Sequence, residues 1–224
     1  MNSSEQQLKS LEDLMLHQFK SEPFHNLPLI YGNKLKTVVG GGTCSDKTLS
    51  FIDAASKAGF NVRLHTGFID GQEVHRLARV RIGDELYFAD VGNGWPALKL
   101  YSSQRVTSFS CFGMKFTSQV CNGRVSVFHE RQGRETLQLE IDVKTKPESE
   151  IRKDIALRFN SGIEYPFSNS LRFSQIVGER FLFLRGNRLE IYSENLYEVL
   201  DEVKDFQLSD TLKQYFGYEV RIEM

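Results

Sequence analysis

The sequence has neither an excess of charge of one sign nor a long hydrophobic run. Lys and Arg total 28 and Asp and Glu total 29, so the formal net charge is −1. Such a balance creates no overall field that attracts nucleic acid or an anionic membrane. No apolar stretch approaches the length of a membrane-spanning helix, and residues 1–10 are too polar for a signal peptide. We therefore expect no nucleic-acid or membrane partner and a cytoplasmic location.

Cysteine is also scarce. The chain contains three cysteines, Cys44, Cys111 and Cys121, and no two of them have the C-x-x-C spacing of a zinc or thioredoxin site. His65 could be a metal ligand, but no other side chains have the spacing to complete such a site. We therefore expect no metal. In a reducing cytosol the cysteines stay as thiols, so one of them can serve as a nucleophile.

The composition, with 40% hydrophobic and 25% charged residues, is typical of a globular protein. Residues 5–20 place apolar side chains at intervals of three and four, which predicts an amphipathic helix. The polar segment 144–150 is the best candidate for a subdomain boundary. Beyond it we predict a helix at 149–160, strands at 180–184 and 188–192, and a helix at 209–216.

The middle of the chain, from about residue 61 to residue 142, has the pattern of short strands joined by tight turns. Three dipeptides with the composition of hairpin loops lie in it: Asp70-Gly71, Gly83-Asp84 and Asn122-Gly123. The order along the chain is thus helical, then mostly β, then mixed, which indicates the α+β class.

Cys44 stands at the predicted start of a second helix, after three glycines and with Thr43 as N-cap and Asp46 three residues further on. The start of a helix presents unpaired N–H groups and a partial positive charge, which favour a thiolate and lower the pKa of a cysteine. The same N–H groups can stabilise the oxyanion that forms when an acyl carbonyl is attacked. The structural alternative is a small buried cysteine that merely begins a helix.

His75 and Asp90 are predicted to meet. If Gly83-Asp84 forms a two-residue hairpin loop, counting back along the strands places His75 opposite Gly92 and on the same face as Asp90. We expect Gly92 to leave room for the imidazole. A carboxylate there accepts a hydrogen bond from one ring nitrogen and leaves the other basic, as activation of a nucleophile requires. A shift of one residue would put the two side chains on opposite faces.

Several segments, in order and with compatible spacing, resemble those of arylamine N-acetyltransferases. The resemblance covers nearly the whole chain, and the segments around the cysteine and the aspartate are the most specific. His75 falls where the catalytic histidine of that family falls. The similar segments are Pro23-Phe24-His25-Asn26-Leu27, Gly40-Gly41-Gly42-Thr43-Cys44, Ala58-Gly59-Phe60, Phe88-Ala89-Asp90-Val91-Gly92-Asn93-Gly94, Asn160 with Tyr165-Pro166-Phe167-Ser168, and Phe216-Gly217.

The resemblance implies an α+β fold of three parts. Residues 1–60 would form a helical subdomain that carries the nucleophile, residues 61–145 an antiparallel β-barrel that carries histidine and aspartate, and residues 146–224 an α/β lid. The catalytic residues would be arranged as in cysteine proteases.

The resemblance also implies a ping-pong reaction through the triad Cys44, His75 and Asp90. Acetyl-CoA, the acyl donor, would acetylate the cysteine, and a small-molecule acceptor (an arylamine, arylhydroxylamine or hydrazine) would then take the acyl group. The loop residues Gly92, Asn93 and Gly94 would lie near CoA. The acceptor pocket would be lined by Phe24, Thr43 and Asn93.

The surroundings of the cysteine depart from the family pattern. Gly40 stands where the family has arginine and Asp46 where it has glutamate, so the ion pair between these positions is absent. Thr43 replaces an aromatic residue and Asn93 a phenylalanine, which makes the pocket more polar. These changes keep two alternatives open: a thioester hydrolase or amide-forming enzyme with the same triad, and a non-catalytic relative that binds a ligand. The oligomeric state also stays open.

Overall fold

The structure is a computed structural model that describes residues 3–160, 165, 167–200, 203–204 and 207–223. It has a helical N-terminal part, a large curled sheet and a smaller sheet, so the predicted α+β class is confirmed. Pro166, which belongs to one of the segments that carry the resemblance, lies outside the described residues. None of the helices in the described ranges is long and apolar enough to span a membrane.

Three helices precede the large sheet. They are α1 (Ser3–Ser21), α2 (Leu27–Tyr31), which runs into a 3-10 turn at Gly32–Lys34, and α3 (Cys44–Lys57). The apolar spacing at 5–20 therefore predicted α1 correctly. The apolar face of α1 and the inner side of α3 share one core, formed here by Leu11, Met15, Phe19, Phe51 and Ala55. This packing fixes α3, and with it the position of the cysteine, against the rest of the protein.

The large sheet has eight antiparallel strands in the order β5-β4-β3-β2-β9-β8-β7-β6. Its strands are β2 (Val62–Ile69), β3 (Gln72–Ile82), β4 (Glu85–Ala89), β5 (Tyr101–Ser102), β6 (Ser108–Cys111), β7 (Met114–Cys121), β8 (Arg124–Arg131) and β9 (Arg134–Asp142). All three predicted hairpin loops connect neighbouring strands of this sheet. Two further hairpin loops, at 112–113 and 132–133, were not predicted.

The expected closed barrel is an open, strongly curled sheet. Among the described strands, β5 and β6 form the two edges and do not pair with each other. β5 is only two residues long, which leaves few backbone groups for a closing ladder. Near this gap the Thr107 hydroxyl accepts a hydrogen bond from the Ser102 N–H at 3.2 Å, and the Thr107 carbonyl accepts one from the Ser118 N–H at 2.8 Å.

The smaller sheet has five antiparallel strands in the order β1-β10-β11-β12-β13. They are β1 (Phe24–His25), β10 (Arg172–Val177), β11 (Arg180–Arg185), β12 (Arg188–Tyr192) and β13 (Tyr197–Leu200). Within the described residues, two further helices follow the large sheet: α4 (Glu148–Leu157) and α5 (Leu208–Thr211), which runs into a π-helical turn at Leu212–Phe216. The predicted helices at 149–160 and 209–216 and the predicted strands at 180–184 and 188–192 are confirmed, whereas β10 and β13 were missed.

The two faces of the smaller sheet differ in character. One face packs its apolar side chains on the C-terminal helical segment, in a core that includes Phe173, Leu182, Leu184, Leu189, Leu212 and Phe216. The other face carries Ser174 and Phe183, and it meets the loop that follows β4. The Ser174 hydroxyl donates a hydrogen bond to the Gly94 carbonyl at 2.7 Å. The loop after β4 is therefore held between the two sheets.

Candidate active site

Cys44 is the first residue of α3, and the preceding glycines shape the backbone that leads into it. Gly41 and Gly42 have φ angles of 82° and 135°, which side chains rarely allow. A Cβ atom on Gly41 would also lie 2.1 Å from the Pro23 carbonyl oxygen. Thr43 then caps the helix, because its backbone N–H and its hydroxyl both donate to Asp46 Oδ2 at 3.0 Å. The sequence therefore predicted this helix start correctly.

Arg158 forms the ion pair with Asp46 that Gly40, which has no side chain, cannot form. Its Nη2 atom lies 2.6 Å from Asp46 Oδ1, the carboxylate oxygen that the cap does not use. The pair formed by positions 40 and 46 is absent, as expected, but Asp46 pairs with an arginine 112 residues further along the chain. Because Arg158 directly follows α4, this ion pair joins the third part of the chain to the start of α3.

The His75–Asp90 prediction rested on the strand register, and that register is confirmed. Ile82 pairs with Glu85 across the Gly83-Asp84 loop, and the ladder continues to the end of β4. His75 Nε2 lies 2.7 Å from Asp90 Oδ1, and the two side chains are only 3% and 1% exposed. A buried hydrogen bond of this kind fixes the orientation of the imidazole and leaves Nδ1 as the ring nitrogen for another partner.

Gly92 lies directly against the start of α3, a contact that the sequence did not predict. A Cβ atom on this residue would lie 2.7 Å from the Cα of Cys44 and 2.8 Å from its carbonyl oxygen. The missing side chain therefore makes room for the backbone at the start of α3. This close approach brings the loop after Asp90 directly against the cysteine.

Asn93 holds the second oxygen of the same carboxylate. Its Nδ2 donates a hydrogen bond to Asp90 Oδ2 at 3.0 Å, and its own Oδ1 accepts one from the Trp95 N–H at 3.3 Å. Both oxygens of Asp90 thus have a donor in a fully buried position. The sequence predicts Asn93 only as a pocket and CoA contact, because no local pattern indicates a bond to an aspartate three residues earlier.

The protonation equilibria of Cys44 and His75 are coupled. Burial raises the pKa of the Cys44 thiol, but the hydrogen bond and charge of His75 outweigh it, with help from Arg76, and leave the pKa below its usual value. Burial alone lowers the pKa of His75, whereas the Asp90 carboxylate and the Cys44 sulfur raise it, and the rise prevails. The arrangement therefore favours a thiolate beside an imidazolium.

A cleft of about 180 Å³ opens at Cys44 and His75. Its apolar lining consists of Phe24, Ile69, Val74, Trp95, Phe167 and Phe183. Its polar lining includes Asn93, Gln138, Tyr165 and Arg172. Cys44 is itself only 5% exposed, so its thiol lies largely buried beside a cleft rich in aromatic side chains.

The structure brings most of the predicted pocket residues to this cleft, but not Thr43. Phe24, Gly92, Asn93 and Gly94 line it, and a Cβ atom on Gly94 would lie 2.9 Å from the ring of Phe183. Thr43 is buried at the start of α3, where its hydroxyl is used in the helix cap. The sequence did not point to Gln138, Arg172 or Phe183, which strand pairing brings in from distant parts of the chain.

Comparison with known proteins identifies structural relatives. No curated protein matches the sequence. The fold is similar to the arylamine N-acetyltransferase from Salmonella typhimurium, with a TM-score of 0.77, 18% identity, and coverage of 95% of this chain and 85% of the other. It is also similar to the Mycobacterium marinum enzyme in complex with CoA, with a TM-score of 0.75, 18% identity, and coverage of 94% and 86%.

A third relative is an arylamine N-acetyltransferase from Bacillus cereus, described as having a unique Cys-His-Glu catalytic triad. The TM-score is 0.73 and the identity 15%, and the match covers 97% of this chain and 99% of the other. At such identities these likenesses establish the fold alone. The sequence itself matches the family model described as N-acetyltransferase over residues 7–224. The chain therefore belongs to the arylamine N-acetyltransferase family of enzymes.

Proposed function

We propose that this enzyme transfers an acetyl group from acetyl-CoA to an arylamine, arylhydroxylamine or hydrazine through a thioester on Cys44. The family supports acetyl transfer in general, and a related structure was solved with CoA. The observation that carries the proposal is the 2.7 Å bond between His75 and Asp90 beside a cysteine at a helix start. Acyl transfer through an enzyme thioester requires a nucleophile, a base and a group that orients the base, and Cys44, His75 and Asp90 would fill these three roles.

In the first half-reaction the Cys44 thiolate attacks the carbonyl carbon of acetyl-CoA. The N–H groups of the first turn of α3 that the capping box does not use would stabilise the resulting oxyanion, since a helix leaves its first N–H groups without intrahelical partners. When the bond to the CoA sulfur breaks, the imidazolium of His75 gives its proton to that sulfur. CoA leaves as the free thiol, and acetyl-Cys44 remains beside a neutral histidine.

In the second half-reaction the amine attacks the thioester carbonyl. Neutral His75 accepts a proton from the amine as the new C–N bond forms, and the Cys44 sulfur leaves as a thiolate. The products are the acetylated amine and the original thiolate–imidazolium pair. Asp90 stabilises the imidazolium in both half-reactions and, because it binds Nε2, leaves Nδ1 for the sulfur, without itself taking up a proton.

We assign the binding of donor and acceptor to residues that line the cleft. The loop of Gly92, Asn93 and Gly94 contacts the donor near its thioester, and Phe24 lines the acceptor side together with Phe167. The ring centroids of these two phenylalanines are 5.9 Å apart in an edge-to-face arrangement. Since Phe167 and Tyr165 come from the third part of the chain, we propose that this part acts as the lid.

Intact-mass spectrometry tests the proposal. After mixing with acetyl-CoA, the protein should gain the mass of one acetyl group, and peptide mapping should place it on Cys44. The variant Cys44→Ala, which keeps Cys111 and Cys121, should gain none. The variant Cys121→Ala removes an exposed thiol and should still be acetylated on Cys44. Absence of an adduct on Cys44, or an equal adduct in Cys44→Ala, would contradict the proposal.

A further inference from the structure

Three arginines surround one cavity at an end of the large sheet. Arg63 on β2 lies directly opposite Arg79 on β3, and Arg81 is the next residue of β3 on the same side. Because opposite and alternate residues share a face of a sheet, the three side chains lie on one face. Leu86, directly opposite Arg81, lies on that face as well. These four residues and Asn61 line a cavity of about 210 Å³, which we call the arginine cavity.

The arginine cavity is separate from the cleft at Cys44. Within the described part of the chain the two have no lining residue in common. Along β3 the distance from His75 to Arg79 and Arg81 is roughly 13–20 Å, at about 3.3 Å per residue. Leu77 lies between them on the same face, fully buried in the core that the curled sheet encloses. A small ligand in the arginine cavity would therefore not contact the catalytic side chains.

The positive charge of this cavity has no counter-charge within the described residues. None of their carboxylates forms an ion pair with Arg63, Arg79 or Arg81. Arg81 Nη1 donates a hydrogen bond to the Asp84 carbonyl at 3.3 Å, which neutralises no charge. Like charges directly opposite each other in a sheet destabilise it, so the pair of Arg63 and Arg79 is unfavourable unless an anion binds between them.

The titratable groups nearest to the cavity supply no negative charge to it. His65 lies on the same face, two residues along β2 from Arg63. Burial, together with the charge of Arg79, lowers the pKa of His65 to about 4, so its imidazole is neutral at pH 7. The carboxylates that act on His65, Asp142 and Glu73, already form ion pairs with other basic side chains, at 2.8 and 2.6 Å.

We propose that the arginine cavity binds a phosphate group, either as the free ion or as part of a small phosphate monoester. A guanidinium presents its N–H groups in a planar fork that matches two oxygens of a phosphate, and such charge-assisted hydrogen bonds are stronger than neutral ones. Two opposed guanidinium groups with a third beside them suit an anion that carries more than one charge and several acceptor oxygens. The site is independent of acetyl transfer and does not rest on the proposed function.

Isothermal titration calorimetry with inorganic phosphate, at neutral pH and constant ionic strength, tests the proposal. We expect saturable binding of one phosphate per chain. In Arg79→Gln the affinity should fall about 10- to 100-fold, the effect of losing a hydrogen bond between charged groups, and Arg79→Lys should restore part of it. Arg134→Gln, which changes an exposed arginine at the start of β9, should bind as the wild type does. Equal far-ultraviolet circular dichroism spectra show that the variants are folded.

Glycerol 3-phosphate carries the same group on an organic stem and distinguishes the two sources. Tighter binding than that of inorganic phosphate identifies a monoester as the ligand, and weaker binding identifies the free ion. The proposal is overturned if neither compound binds saturably, if chloride at the same ionic strength gives the same heat, or if Arg79→Gln binds phosphate as well as the wild type. A rise in KM for acetyl-CoA in Arg79→Gln would assign these guanidinium groups to the acyl donor and also overturn it.

Discussion

Asn93 donates a hydrogen bond to the oxygen of Asp90 that His75 does not use, at 3.0 Å, while His75 lies 2.7 Å from the other oxygen. The carboxylate is thus held at both ends in a buried position. The position of Asp90 sets the direction of the imidazole, and the imidazole sets the charge on Cys44. Asn93 is therefore a positioning residue for the proposed reaction, although it need not touch the reacting atoms.

We predict that Asn93→Leu weakens this chain of contacts. Loss of a hydrogen bond to a buried charged group costs about 1.5–3 kcal/mol, so the rate of Cys44 acetylation should fall about 10- to 100-fold. The pKa of Cys44, measured from the pH dependence of alkylation by iodoacetamide, should rise toward that of an ordinary thiol. A change in acceptor KM with an unaltered pH profile would show that Asn93 contributes only to the pocket.

Replacing Asp90 by asparagine should have a larger effect. The negative charge of Asp90 is the main factor that raises the pKa of His75 against its burial. Without it the imidazole loses its proton more easily and can adopt the other tautomer, so Cys44 stays a thiol at neutral pH. By analogy with serine-protease triads we expect a loss of about 10⁴-fold in kcat. Stopped-flow measurement of acetyl-Cys44 formation provides the rate, and a loss below tenfold would contradict the assigned role.

Gly92 should tolerate no side chain, because the atoms it would meet belong to the backbone of Cys44 and cannot move aside. We predict that Gly92→Ala destabilises the protein by about 1–3 kcal/mol and displaces the loop that carries Asp90. Urea denaturation and the acetylation rate report the two effects. Gly40→Ala is the matched control, since a Cβ atom there has open space and should leave both quantities unchanged.

Lys47 lies in α3, three residues after Cys44, and its side chain is fully buried. Its ammonium donates to the Glu22 carbonyl at 2.6 Å and lies 5.3 Å from the centroid of the Phe19 ring. Burial lowers the pKa of Lys47 from 10.5 to about 8, although the charge of Glu22 opposes the shift. The folded state therefore binds this proton less tightly than the unfolded chain does.

This difference predicts a pH-dependent stability. Between pH 8 and 10.5 the unfolded chain binds more protons at Lys47 than the folded protein does, so the free energy of unfolding rises with pH in this range. Below about pH 8 Lys47 is charged in both states, and the full cost of burying its charge is present. That cost is on the order of 3 kcal/mol. We expect Lys47→Met to raise the free energy of unfolding at pH 7 by about 1–3 kcal/mol, after the lost hydrogen bond is counted. The gain should shrink as the pH approaches 10. A gain that does not depend on pH would show that it comes from packing alone.

The parts of the site that the sequence predicted are those set by local chemistry. A two-residue loop at Gly83-Asp84 fixes the register of its two strands, and the ladder as far as Ala78 and Ala89 directs His75 and Asp90 toward the same place. Thr43 and Asp46 form a capping box because both lie within one turn of the helix start. Neither inference depends on how distant parts of the chain pack.

What the sequence could not predict depends on long-range packing. Arg158 reaches Asp46 from 112 residues away, and nothing near either residue indicates the pair. β10 was missed because buried polar residues, Ser174 and Gln175, interrupt its apolar pattern, and with it the position of Arg172 in the cleft was missed. The contact of Gly92 with Cys44 was missed for the same reason, since the approach of α3 to that loop is a tertiary contact.

The central claim is that a cysteine, a histidine and an aspartate from two parts of the fold together pass an acetyl group to an amine. The most direct test begins with protein acetylated on Cys44 and freed of CoA by gel filtration. Mixed with an arylamine, it should lose the acetyl mass at a rate that rises with amine concentration, and acetylated amine should appear in equal amount. If the acetyl group is lost to water at one rate whatever amine is added, the protein is a thioester hydrolase and the claim is contradicted.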